Sequence, residues 1–124
     1  MPVPADRRYR ATHQWAKRLP DGICEIGITD FAQSELGDLM FAMLPEPGTP
    51  VSEGKPCATL ESVKTASDVT SPITGIITSV NERVRQNPEI LNQSPYDHWI
   101  VCVRPEQDQS FLELLSAEAY QKLL

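Results

Sequence analysis

Apolar and polar positions along this chain change in short bursts, and no single period persists for long. From Tyr9 to Arg18 the pattern is mixed but compatible with β structure, and Leu19-Pro20-Asp21-Gly22 is a strong turn signal before the run from Ile23 to Ile28, so a first hairpin is predicted. In Thr29-Asp30-Phe31-Ala32-Gln33-Ser34-Glu35-Leu36-Gly37, Asp30 can cap, Gln33 can return the bond and Gly37 supplies a left-handed stop. A short helix of about two turns follows from that pattern. The run Leu39 to Leu44 is apolar on both faces and reads as a buried strand, ended by Pro45-Glu46-Pro47-Gly48. Trp99 to Val103 is one more strand-like run. Beyond it, Ser110 can cap a helix carrying Phe111, Leu112, Leu114 and Leu115, and Ser116 a second one carrying Ala119, Tyr120 and Leu123, which places C-terminal helices at about 108–123.

The middle of the chain carries a weak internal echo. Val51-Ser52-Glu53-Gly54 precedes Lys55-Pro56, and Val84-Arg85-Gln86-Asn87 precedes Pro88, each with an apolar residue followed three positions later by a residue type that tolerates positive φ. Upstream, Gly37-Asp38-Leu39-Met40 and Gly75-Ile76-Ile77-Thr78 each open a strand-like stretch. Two similar β units related by a pseudo-twofold are predicted, with the linking segment crossing between them.

Composition sharpens this picture. The 124 residues include eleven prolines beside six glycines, which favours many short elements joined by turns and hence a mainly β fold in a single domain spanning 1–124. With 40% apolar and 23% charged residues the usage is globular. A net charge of −6 opposes nucleic acid and anionic membrane as partners and leaves proteins or small molecules. Cys24, Cys57 and Cys102 lie far apart with no CxxC pair and are expected as reduced, core-facing thiols. The first eight residues hold no apolar core for a signal peptide, and no apolar run approaches a membrane span. A cytoplasmic monomer is expected, or one in the mitochondrial matrix if a transit peptide has been removed.

The segment from Thr59 to Pro72 holds the candidate chemistry. Its flanks alternate like strands, with Leu60 and Ser62 on one side and Glu61 and Val63 on the other, around a small polar centre that holds Lys64. A lysine at such a tip projects into water, where its ammonium carries no desolvation penalty and a modifying enzyme can reach it. Spacing alone does not separate this from an ordinary exposed lysine. His13 and His98 have no cysteine or carboxylate at ligand spacing, so no metal site is predicted. No Gly-rich phosphate loop or nucleophile motif appears, and no catalytic residue is assigned.

Glu61-Ser62-Val63-Lys64, followed by Thr65-Ala66-Ser67-Asp68 and Ser71-Pro72, resembles the lipoylation site of the H proteins of the glycine cleavage system. The resemblance extends in order through Ile28-Thr29-Asp30, Ala32-Gln33, Leu36-Gly37-Asp38, Leu44-Pro45, Asn87-Pro88 and Ala117-Glu118-Ala119-Tyr120. It implies a lipoyl-domain fold, a flattened barrel or sandwich of two small sheets (barrel-sandwich hybrid), with a short helix in the N-terminal third and C-terminal helices. The lipoyl hairpin then occupies about 56–80 and lipoate is attached to Lys64. Biotin carriers share the scaffold but usually flank their lysine with methionine, and acyltransferase lipoyl domains more often place aspartate before it. Here Val63 and Thr65 flank Lys64.

The resemblance further implies a non-catalytic carrier. In the family the arm takes an aminomethyl group from glycine decarboxylase, gives up its carbon and ammonia at an aminomethyltransferase, and is reoxidised by dihydrolipoyl dehydrogenase. A lipoate-attaching enzyme is the fourth partner; Glu61 and Asp68, which flank Lys64, read either as its recognition residues or as a solvated acidic rim. The loaded arm is thought to fold into a surface cleft, for which the matching positions are Thr12, Gln14, Phe31 and Asp68. Two departures stand out. The family usually reads His-Glu-Trp where this chain has His13-Gln14-Trp15, so position 14 brings no negative charge and weaker retention of a cationic arm is predicted. The loop Pro95-Tyr96-Asp97-His98-Trp99 is one residue shorter than usual, which is either a neutral surface deletion or altered docking. These departures keep two alternatives open, an H-like lipoyl donor or redox carrier for other enzymes, and an unmodified interaction module.

Overall fold

A computed structural model describes residues 3–124; Met1 and Pro2, the first of the eight residues read as lacking a signal-peptide core, lie outside the described residues. Tyr9 to Arg18 is not one strand. It divides into β1 (Arg8–Arg10) and β2 (Gln14–Arg18), because the chain reverses through His13, which takes a left-handed φ of 76°. β2 then pairs with β3 (Cys24–Ile28) across the predicted turn, where the Gly22 amide donates to the Leu19 carbonyl at 2.9 Å. In this hairpin Trp15 stands opposite Gly27, and a Cβ at Gly27 would fall 2.3 Å from the indole ring. The indole therefore lies across the neighbouring strand in space that only glycine leaves open.

Three more strands complete this sheet: β5 (Pro50–Val51), β8 (Gly75–Val80) and β9 (Val101–Pro105), in the order β1-β2-β3-β9-β8-β5. A second sheet holds β4 (Leu39–Met43), β6 (Pro56–Ser62) and β7 (Ala66–Thr70), in the order β4-β6-β7. The fold is mainly β, two sheets with short helices, as expected, and among the described residues the sheets do not close into a barrel. The sheets are unequal, and the internal echo holds only in part. Gly54 turns with a φ of 80°, but Val84 to Gln86 lies inside a helix, α2 (Glu82–Gln86), and Asn87 has an extended φ of −145°. Arg83, Val84 and Arg85 continue a helix that Asn81 caps through its side chain, so a local cap overrides the turn pattern.

The short helix α1 (Asp30–Leu36) forms where predicted, but its cap is Thr29, whose hydroxyl accepts from the Ala32 amide at 3.3 Å. Asp30 is instead the first helical residue, and its carboxylate accepts from the Gln33 side chain at 2.9 Å. Gly37 stops the helix with φ 79°, and its amide donates to the Gln33 carbonyl at 3.0 Å. β4 departs from expectation. It is an edge strand rather than a buried one, and Met40, Phe41 and Met43 are each more than half exposed while Leu39 is buried. A bulge between Leu39 and Phe41 rotates the strand and turns the larger side chains outward.

A further helix unforeseen in the sequence, α3 (Ile90–Gln93), buries Ile90 and Leu91. The Asn92 side chain on α3 accepts from the Leu39 amide at 2.9 Å and donates to the Gly37 carbonyl at 2.9 Å, which fixes the exit of α1. At the C-terminus α4 (Gln109–Leu112) starts after Asp108, so Ser110 lies within it rather than capping it. α5 (Ala117–Gln121) is capped by Ser116, whose hydroxyl accepts from the Ala119 amide at 3.1 Å. Its Tyr120 stacks on Tyr9 with ring centres 4.8 Å apart, beside buried Trp15.

The main core fills the space between the sheets with Ile26, Ile28, Leu60, Ile73, Ile77, Val84, Leu91, Ile100, Val101 and Val103, each at most 2% exposed. All three cysteines are free and buried. Burial pushes the thiols of Cys24 and Cys57 up to about 11 and raises that of Cys102. No described helix is long and apolar enough to cross a membrane.

Candidate functional site

β6 and β7 form a hairpin whose apex is Ser62 to Thr65, and one side chain organises it. The Ser62 hydroxyl oxygen accepts from the amides of Lys64 at 3.2 Å and Thr65 at 3.1 Å, while the Ser62 amide donates to the Thr65 carbonyl at 2.7 Å. Short side-chain hydroxyls commonly bond the backbone in this way at tight turns. A second tether ties the apex to the body, since the Val63 amide donates to the Asp38 carbonyl at 3.0 Å. The backbone under Lys64 is thus held by bonds that do not use the lysine side chain. Lys64 itself is exposed. Its stem lies over the end of α1: a Cβ at Gly37 would fall 3.0 Å from Lys64 Cε.

Register defines the two faces of this small sheet. Phe41, Glu61 and Ala66 stand in one row, and Met43, Thr59 and Asp68 in the next, because directly paired residues project to the same side. Leu60, Ala58 and Val69 point inward and are buried. Glu61 and Asp68 therefore share the outer face, where Asp68 accepts from the Thr59 hydroxyl at 3.1 Å. Around the apex, Val63, Phe41 and Met43 leave apolar surface in water.

A cleft of roughly 180 Å³ opens at the free edge of β7, between that strand, α1 and the turn before β2. Thr12, Gln14, Phe31 and Asp68 all line it, so four residues far apart in sequence converge on one cavity. Ile28, Ala32, Leu36 and Val69 form apolar wall. Three further polar residues line it that the sequence does not assign to a cleft, His13, Glu35 and Ser67. Glu35 reads as an ordinary solvated helix position, and the left-handed backbone that turns His13 toward α1 has no local sequence signal.

Gln14 is 5% exposed, with both the oxygen and the nitrogen of its amide hydrogen-bonded. Its oxygen accepts from the hydroxyls of Thr12 at 2.5 Å and Thr70 at 3.1 Å, and its nitrogen donates to the Thr12 carbonyl at 2.9 Å. These bonds join the two sheets beside the cleft, since Gln14 belongs to β2 and Thr70 to β7. His13 sits behind Phe31, ring centres 4.3 Å apart, with Nδ1 2.6 Å from the Tyr120 hydroxyl. That hydroxyl is 2.9 Å from Thr29 Oγ1, so α5, the cleft and the cap of α1 share one hydrogen-bond chain. Burial lowers the His13 imidazole below its ordinary range, and the charge of Glu35 opposes that shift. Burial likewise raises the Tyr120 hydroxyl, which stays protonated at neutral pH.

The loop from Pro95 to Trp99 is part of the packing. The Trp15 indole donates to the Pro95 carbonyl at 3.2 Å, Arg7 donates to the Tyr96 carbonyl at 2.8 Å, and the Tyr96 hydroxyl accepts from the Asp30 amide at 3.1 Å. Arg7, 8% exposed, also lies 4.5 Å from the centre of the Trp15 ring. Among the described residues no three His, Cys, Asp or Glu side chains converge as metal ligands.

Residues 7–124 match the profile of the family described as "Glycine cleavage H-protein". The chain is 45% identical over 121 residues to the glycine cleavage system H protein of Methylococcus capsulatus, covering 98% of this chain and 95% of that one. It is 46% identical over 117 residues to a probable glycine cleavage system H protein of Thermococcus gammatolerans, covering 94% and 87%. The crystal structure of a glycine cleavage system H protein from Mycobacterium marinum superposes with a TM-score of 0.87 at 39% identity, covering 98% of this chain and all of that one. An ordered set of short motifs, a tight lysine turn on a two-sheet scaffold and a match over nearly the whole length agree, and the chain belongs to the glycine cleavage H-protein family, a family of carriers rather than catalysts.

Proposed function

We propose that this chain carries lipoate on Lys64 and shuttles the aminomethyl group of glycine between glycine decarboxylase, aminomethyltransferase and dihydrolipoyl dehydrogenase. The observation that carries the reading is the position of Lys64, exposed at the apex of a turn fastened by Ser62, with its stem over Gly37 at the end of the helix that walls a mainly apolar cleft. The residues fit an amide-linked arm: the amine is accessible, the turn holds its shape without it, and the neighbouring surface can receive what the arm brings back. Lipoate supplies a dithiolane that opens to two thiols, redox chemistry that no side chain here can perform.

The chain contributes position. A fixed apex presents the arm to each enzyme at high effective concentration, and the cleft keeps the loaded end from water between encounters. Phe31 and the aliphatic wall cover the carbon chain, while Thr12 and Asp68 offer polar contacts at the lip. Glu61 and Asp68 on the outer face, with Phe41 and Met43 beside them, form the surface that a lipoate-attaching enzyme reads. The relatives cited above come from bacteria and an archaeon, which supports the cytoplasm as the place of work. The whole of 1–124 serves as one carrier domain acting as a monomer.

The test is intact-mass analysis of the wild-type chain and Lys64→Arg after coexpression with lipoate-attaching enzymes, followed by incubation with glycine and glycine decarboxylase. One lipoyl addition on wild type and none on Lys64→Arg is expected, then a glycine-dependent gain on the lipoyl form. An unmodified wild-type chain ends the reading. Lipoylation without glycine-dependent gain, with the decarboxylase active on a control H protein, replaces it by that of a lipoyl carrier serving other enzymes.

A further inference from the structure

The cleft contains a division of labour that the reading above leaves open. A protonated amine entering it needs an anionic or strongly accepting partner, because desolvating an unpaired ammonium is costly. Gln14 offers neither: it is neutral, and its oxygen already accepts from two hydroxyls. The carboxylates among the lining residues are Glu35 and Asp68. Asp68 accepts from Thr59 on the outer face of its sheet, whereas the Glu35 carboxylate accepts no hydrogen bond and forms no ion pair among the described residues.

Two further observations converge on Glu35. Lys64 already lies along Gly37, two residues beyond Glu35 at the end of the same helix, so an arm rooted at Lys64 crosses within about one helical turn of that carboxylate. Glycine at 37 is what leaves the passage open, since a Cβ there would meet the lysine stem. Glu35 and His13 line the same cavity, and the charge of Glu35 opposes the lowering of the imidazole by burial.

We propose that Glu35 is the residue that holds the amine of the loaded arm in this chain, supplying from α1 the charge that position 14 lacks. The proposal rests on the shuttle reading above. Asp68 closes the amine from the other lip, and Phe31 shields the pair from solvent. Glu35 thereby sets specificity for an aminated arm over the empty one, without touching the chemistry of transfer.

The test uses the full-length lipoyl chain, loaded with glycine and glycine decarboxylase and then separated from the enzyme. The half-life of the bound aminomethyl group is followed by intact mass for wild type, Glu35→Gln and the double variant Gln14→Glu with Glu35→Gln. Glu35→Gln is expected to shorten the half-life about three- to tenfold, the range between an exposed and a half-buried ion pair. The double variant is expected to recover most of it, and added salt to shorten the wild-type value more than that of Glu35→Gln. Independently, loading is expected to move the Glu35 carboxyl carbon resonance in wild type, while the unloaded lipoyl form leaves it in place. An unchanged half-life in Glu35→Gln, or a carboxyl resonance indifferent to loading, overturns the proposal and leaves the shuttle intact. Failure of the wild-type chain to load at all overturns both.

Discussion

The larger sheet and the smaller one solve opposite problems with similar residues. In the larger sheet Tyr9, Trp15, Ile26, Val101 and Val103 are at most 1% exposed, and the outer strand β1 is sealed by Leu115, whose amide and carbonyl both bond Tyr9 at 2.8 Å. In the smaller sheet β4 is an open edge with Phe41 59% and Met43 56% exposed. Natural edges are normally blunted by charge, proline or a covering element, and exposed apolar surface of this kind marks contact with partners. The larger sheet thus carries stability, and the smaller one presents the lysine.

The comparison can be broken by mutation. Trp15→Ala is expected to cost about 3–5 kcal/mol in chemical denaturation, the usual range for emptying an aromatic core site. Phe41→Ala is expected to stay within about 0.5 kcal/mol and to slow lipoate attachment instead. Equal losses at the two sites would erase the distinction. Gly27→Ala is the next probe, because its Cβ would fall 2.3 Å from the Trp15 ring. Overpacking of this kind costs about 1–3 kcal/mol, read as a lower denaturation midpoint with an unchanged slope.

Ser62→Ala tests the smaller sheet. Two amides at the apex lose their acceptor, and a loss of about 1 kcal/mol is expected, as for a missing helix cap, with slower lipoylation and retained cleft geometry. Alkylation gives a kinetic contrast: Cys24 and Cys57, pushed up to about 11, are expected to react only at the rate of unfolding. Rapid labelling of Cys24 in the native chain would show a larger sheet that opens locally, and rapid labelling of Cys57 a smaller sheet that does.

The smallest effect concerns pH. The His13 imidazole is lowered in the folded chain from its ordinary 6.5, so folding disfavours its protonated form. Its contribution is fully present above 6.5 and is lost as pH falls through the lower folded value. His13→Gln is expected to flatten that part of the stability profile, and NMR titration of the ring checks the direction.

Local signals made part of this fold legible. The turn at Leu19 to Gly22, the stop at Gly37 and the cap at Ser116 depend on residues a few positions apart, and each forms as read. The strand from Leu39 was misjudged because an apolar run looks the same whether it faces a core or a partner; only the bulge and the edge position decide. α2 and α3 were missed because four or five residues around Val84 and Leu91 give no sustained period. The convergence of Thr12, Gln14, Phe31 and Asp68 came from family resemblance, whereas the parts of His13 and Glu35 depend on a left-handed backbone and a helix orientation that short sequence windows do not encode.

The Ser62 turn has one more implication. Since every bond fastening it runs through the backbone or a serine hydroxyl, the scaffold is indifferent to what hangs from position 64. Bare chains and chains bearing an empty lipoyl arm then melt at the same temperature, and surveillance that senses unfolding cannot tell the one from the other. Only a protein that touches the appendage itself can take that census.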